Sequence, residues 1–138
     1  MVVHLLEGLI EKEEISSMEP AKQEPAMQKA LDDNPFIQFM YITDTNGRKV
    51  TRNICNIVDK AKFERFKLHD DFSNRIWFIY PMKDGNIHVT DFYTSIITDA
   101  LCITVSGLIR DKNDEIVGIL GIDSRFEDLA KMEEENEI

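Results

Sequence analysis

The sequence predicts an α+β domain built on a central antiparallel sheet of five strands, with an N-terminal helix and further helices inserted between the second and third strands. Three observations lead there. Asn46-Gly47 lies between two runs rich in aromatic and β-branched residues, the pattern of a hairpin. Residues 101–109 and 115–122 form a second such pair around a polar turn. At the N-terminus, apolar residues recur three and four positions apart, the period of a helix.

Each element follows in order. Val2, Leu5, Leu6, Leu9 and Ile10 make one apolar helical stripe. Ser16, Ser17 and Pro20 interrupt it. A second helix is expected to start at Pro25, as an N1 proline, and to end before Asn34-Pro35. Residues 36–43 read as a strand, 44–48 as a tight turn in which Asn46 and Gly47 both accept positive φ, and 49–54 as the returning strand. Residues 56–69 mix apolar and charged residues as one or two short helices would. Residues 70–74 are turn-like, and an apolar run follows as far as Pro81. Residues 87–90 form a short strand that Asp91-Phe92-Tyr93-Thr94 continues or bends. The strands 101–109 and 115–122 come next, the latter with glycines that permit a bulge or a close approach. Asp123-Ser124 would then cap a helix, and the acidic end from Glu133 frays.

With 138 residues, 43% of them hydrophobic and 30% charged, the chain can bury a core of its own. The expected division is an N-terminal helical segment, 1–35, and a single globular unit, 36–138. A net charge of -10 argues against nucleic acid and against anionic membrane surfaces as partners. The N-terminal apolar run is short, broken by Glu7 and without a basic lead, so it is neither a signal peptide nor a span. The chain as given is expected in the cytoplasm, or outside it if it is a piece of a membrane receptor.

Cys55 and Cys102 form no CxxC, and His4, His69 and His88 are scattered at no metal-ligand spacing. There is no phosphate loop and no nucleophile elbow. No cofactor, no metal and no enzymatic activity are expected.

The chemistry concentrates at Arg75-Ile76-Trp77-Phe78, which holds the only tryptophan, and at Asp91-Phe92-Tyr93. Arginine offers a planar fork of donors suited to a carboxylate. An indole adds an N–H while its ring closes a pocket. Tyrosine and aspartate accept from an ammonium. Each residue also has a plainer reading: Trp77 and Phe78 as core, Arg75 as a surface ion pair, Asp123 as a helix cap.

These segments, with Tyr41-Ile-Thr-Asp-Thr-Asn-Gly-Arg-Lys-Val50 before them and the strand pair up to Asp123 after them, resemble the Cache, or PAS-like PDC, sensor domains of bacterial chemoreceptors, histidine kinases and second-messenger enzymes. The similarity covers residues 36–130. It implies a ligand pocket between the sheet and the intervening helices. One branch of that family recognises free amino acids. Its Arg-x-Trp-Tyr segment is matched by Arg75 and Trp77, with Phe78 in place of tyrosine. Tyr93 resembles its later tyrosine, Asp123 its aspartate, and Asp91 adjoins the same segment. A tyrosine upstream of the arginine is missing, since Phe72 stands in that region. The resemblance implies Arg75, Trp77, Phe78, Asp91, Tyr93 and Asp123 as ligand contacts for an amino acid or small carboxylate, with Arg75 and Asp123 close enough to neutralise each other when the site is empty. The other reading is a ligand-free regulatory module that dimerises through its N-terminal helix.

Overall fold

The computed structural model describes residues 2–52, 54–55, 67–90, 93–94, 101–125 and 127–128. Asp91 and most of the helical region expected at 56–69 lie outside them, as do Phe126 and the residues after Asp128.

Three helices lead the chain: α1 (Val2–Ile10), α2 (Glu13–Ser16) and α3 (Pro20–Asp33). Val2, Leu6 and Leu9 are the buried residues of the α1 stripe. The second long helix starts at Pro20, not Pro25, which lies inside it. The extra turn is held from outside the helix. The buried Gln23 amide donates to the Ile15 carbonyl of α2 at 2.8 Å, fixing the chain ahead of Pro25.

Strand β1 (Ile37–Thr43) is buried along its whole length and pairs with β2 (Ile54–Cys55) on one side. In the turn after β1, the Asp44 N–H donates to the Arg48 carbonyl (2.9 Å), and the Asp44 carboxylate accepts from the Asn46 and Arg48 N–H groups. Only Gly47 takes positive φ, at 84°; Asn46 does not, so this is a wider turn than Asn-Gly suggested. The returning strand is also shorter than expected. After a bridge between Thr43 and Lys49 the chain leaves the ladder, because Arg52 gives its backbone N–H to Glu24 of α3 at 2.8 Å.

Helix α4 (Ile76–Asp84) forms from the apolar run. It closes on Gly85, at φ 77°, whose N–H donates to the Pro81 carbonyl at 2.8 Å. Strands β3 (His88–Val89) and β4 (Tyr93–Thr94) lie one after the other along the same edge of β5 (Leu101–Arg110). β6 (Ile116–Arg125) pairs antiparallel with both β5 and β1. The sheet runs β2-β1-β6-β5-β3, with β4 also on β5. The fifth position of the expected sheet is thus shared by two short strands.

β6 continues past Ile122 to Arg125, and this overturns the expected helix cap. Asp123 pairs with Phe39 and Thr104, and Ser124 with Ile37 and Ile103. With neighbours on both sides in the ladder, neither begins a helix.

The two faces of the sheet differ. Met40, Ile42, Val105, Ile109, Leu120 and Ile122 meet Val2, Leu6, Leu9, Ile15 and Met27 in one core. Each fully buried aliphatic side chain there contributes about 1.5–3 kcal/mol, which holds the leading helices to the sheet. Gly107 of β5 is part of that fit: a Cβ on it would lie 3.3 Å from Leu6 Cδ2. α4 covers the opposite face, in a second cluster of Phe39, Tyr41, Phe72, Trp77, Phe78, Leu108 and Ile119.

Candidate functional site

The face beneath α4 is set by alternation along three strands. On β1, Phe39 and Tyr41 join the α4 cluster while Met40 and Ile42 join the other core. On β5, Thr104 and Ser106 make their bonds on the α4 side, while Val105 and Ile109 belong to the far side. On β6, Gly121 lies under Trp77, and a Cβ there would meet its Cε3 at 3.7 Å. Asp123, two positions along, shares that face.

Trp77 is buried, with its indole stacked on Tyr41 (centroids 5.4 Å apart, planes 13° apart) and tilted against Phe72 at 5.7 Å. Tyr41 stacks on Phe39 at 4.4 Å on its other side. Phe78 is buried in the same cluster. Phe72, which replaces the tyrosine missed upstream of Arg75, is therefore part of the aromatic wall, without a hydroxyl to offer.

Below the wall lies a polar floor. Asp123 is 4% exposed. Its carboxylate accepts from the Tyr41 hydroxyl on one oxygen and from Thr104 Oγ1 on the other, at 2.6 Å. Thr104 is in turn fixed by Thr90, whose Oγ1 accepts the Thr104 N–H at 2.9 Å. A carboxylate buried this deeply is costly unless hydrogen-bonded, and both its oxygens are. Chemically, an oriented carboxylate is an acceptor suited to an ammonium or another donor.

Arg75 stands at the N-cap of α4, with extended backbone, and is half-buried. Among the described residues its guanidinium has no carboxylate partner, and it forms no ion pair with Asp123. The mutual neutralisation anticipated for these two residues is not formed between them; the Asp123 carboxylate accepts from the Tyr41 and Thr104 hydroxyls instead. Tyr93 has its backbone in β4, paired with Cys102. Asp91 lies outside the described residues. The structure thus gathers Trp77, Phe78 and Asp123 around one sheet face, with Arg75 on the same helix as the first two.

Sequence reading missed Tyr41 and Thr104, which bridge wall and floor. A signal was present for both. On β1, Phe39 and Tyr41 are aromatic at alternate positions, and Cys102, Thr104 and Ser106 alternate with Ile103 and Val105. Small polar residues on one side of a strand and β-branched ones on the other mark a polar face. Among the described residues no group of three or more His, Cys, Asp or Glu is gathered to hold a metal ion.

Comparison with known proteins adds to this geometry. The sensory domain of the Campylobacter jejuni chemoreceptor Tlp3 (CcmL) superposes with a TM-score of 0.67 at 21% identity, over 91% of this chain and 51% of that one. The same domain with isoleucine bound gives 0.66 at 21%, over 91% and 49%. The ligand-binding domain of the Pseudomonas fluorescens chemoreceptor CtaA in complex with L-serine gives 0.65 at 21%, over 92% and 51%. The chain spans about half the length of these sensor chains, and at such identities the likeness is one of fold. A curated relative, the Citrate (Re)-synthase of Syntrophus aciditrophicus (strain SB), is 50% identical over 129 residues, which is 94% of this chain and 20% of that protein. The chain therefore spans about a fifth of that relative's length. The family model of the methyl-accepting chemotaxis protein-like, first PDC sensor domain matches residues 23–131. With most of its length inside that match, the chain belongs to the methyl-accepting chemotaxis protein-like PDC sensor domains.

Proposed function

We propose that the domain binds an amino acid or a small carboxylate in the space between α4 and the polar face of the sheet. The observation that carries this reading is the buried Asp123 held by Tyr41 and Thr104, beneath Trp77, with Arg75, which has no carboxylate partner among the described residues, at the start of the covering helix. Arg75 and the indole N–H of Trp77 would take the carboxylate. Asp123, together with Tyr93 and Asp91, would take the ammonium. Tyr41 supplies a phenolic hydroxyl that Phe78 and Phe72 do not. Chemoreceptor domains of the same fold with isoleucine or L-serine bound support this ligand class.

A thermal-shift screen of the L-amino acids and short organic acids tests it. A stabilising ligand should lose its effect in Arg75→Ala. Equal stabilisation of native chain and variant would remove Arg75 from the site.

The setting of the domain is a further part of the proposal. In a chemoreceptor it would sense outside the cytoplasmic membrane, and no described helix is long and apolar enough to cross one. In a protein like the Syntrophus synthase it would serve as an effector-binding module beside a catalytic region.

A second reading, a ligand-free module that self-associates through its N-terminal helix, has its own support. Trp77 and Phe78 are packed into the aromatic cluster, and a groove of about 700 Å³ runs between α1 and α3 past Leu5, Gly8, Leu9, Ala26 and Ala30. Removing residues 1–33 would strip the core, so a point change is the better probe. A Cβ at Gly8 meets open space, so Gly8→Arg should leave the fold intact. Loss of a dimer by light scattering in Gly8→Arg supports this reading, and an unchanged mass counts against it.

A further inference from the structure

The carbonyl of Trp77 lacks its usual α-helical donor. In an α-helix each carbonyl accepts from the N–H four residues on. For Trp77 that residue is Pro81, which has no N–H and whose ring crowds the same carbonyl. A buried carbonyl left without a donor is costly, so a donor has to come from elsewhere. It comes from the sheet: the fully buried Ser106 donates its hydroxyl to the Trp77 carbonyl at 2.7 Å.

Two further details fit this one contact. Ser106 pairs across the ladder with Gly121, over which Tyr41 and the indole of Trp77 lie, a Cβ there reaching van der Waals contact with both. Trp77 then stacks on Tyr41, and the Tyr41 hydroxyl donates to Asp123. A chain of contacts therefore runs from a proline in α4, through a serine on β5, to the carboxylate of the floor.

We infer that Ser106 is a positioning residue for the site, which holds Trp77 in register over the sheet through the carbonyl that Pro81 leaves open. It need not touch a ligand. It sets the height of α4 above β5, and through Trp77 and Tyr41 the orientation of Asp123. Its bearing on ligand binding rests on the function proposed above, but the positioning itself does not.

Trp77 is the only tryptophan, so its emission reports its own placement. The experiment compares the native chain with Ser106→Ala, Ser106→Thr, Pro81→Ala and the Ser106→Ala/Pro81→Ala double variant, without added ligand. Ser106→Ala should shift the emission to the red and increase acrylamide quenching in a folded protein, and Ser106→Thr should restore both. An alanine at position 81 supplies the missing N–H, so in that background the loss of the Ser106 hydroxyl should have little effect. The two substitutions would then be strongly non-additive. Unchanged emission in Ser106→Ala, or additive effects, overturns the inference. If Ser106→Ala does not fold, the Pro81→Ala background must restore folding, and failure in both backgrounds overturns it as well.

A binding arm uses L-isoleucine and L-serine as probes. Whichever binds the native chain should bind Ser106→Ala about tenfold more weakly, equal to about 1.4 kcal/mol. If neither probe binds the native chain, the amino-acid reading loses its support, and the emission results still decide the role of Ser106.

Discussion

Tyr41 touches more of the site than any residue the sequence singled out. Its ring lies between Phe39 and Trp77, and its hydroxyl donates to Asp123. Tyr41→Phe keeps the stacking and removes one donor from a buried carboxylate. It should cost about 1–3 kcal/mol of stability, measured by urea denaturation. It should also weaken ligand binding more than its effect on the fold explains. Lys49 makes a different prediction. It is 1% exposed, and its ammonium donates to the Thr51 carbonyl. Burial pushes its pKa from 10.5 down to about 8, against the opposing pull of Asp70 and Glu24. Between these values the unfolded chain keeps a proton that the folded chain has lost. Stability should therefore rise with pH from about 8 to 10.5, the two values that bound the shift, and Lys49→Met should flatten that rise. Arg75, Trp77 and Phe78 were conspicuous in the sequence as an arginine beside the sole tryptophan, and Asp123 was singled out through the family resemblance. Tyr41 was not, because its role depends on which strand pairs with β6.

At the scale of elements, the two hairpin turns are built alike. In Asp44–Arg48 and in the turn from Asp111 to Glu115, the first residue donates its N–H to the carbonyl of the fifth, and its carboxylate accepts from the third and fifth N–H groups. The fourth residue takes positive φ in both: Gly47 at 84° and Asp114 at 63°. Their surroundings differ. A Cβ on Gly47 would lie 2.7 Å from the backbone of Ser73, whereas Asp114 is exposed. Gly47→Ala should cost about 2 kcal/mol or more, from left-handed strain and the clash together. Asp114→Gly should change stability by less than about 1 kcal/mol, since relief of strain is offset by chain entropy. Paired thermal melts would check both. Turns of this kind are legible because their residues make the turn locally. α4 was not legible as a helix, because Pro81 weakens it by local rules and a serine on a distant strand compensates. Likewise β6 outlasts Ile122 because β1 and β5 both extend alongside Asp123, which no local pattern reveals.

For the whole molecule, α1 and α4 lie on opposite faces of the same two central strands, β5 and β6. The division into faces follows from alternation, and it was legible in the strands 101–109 and 115–122. What the sequence left open was whether the leading helices would pack on this sheet or on another copy. The shared core of Leu6, Leu9 and Ile15 with Val105 and Ile109 shows them packed on the sheet. Gly107→Val should push on Leu6 and Ile87 from the α1 side. In hydrogen exchange, the amides of α1 should lose protection while those of α4 keep it. Equal loss in both would mean that the faces are not separable.

Ser106 and Gly107 are consecutive, so along β5 one step separates the bond to Trp77 from the contact with Leu6. Two adjacent residues of one strand thus face opposite layers, as alternation requires, so the seat of α1 and the seat of α4 are one residue apart.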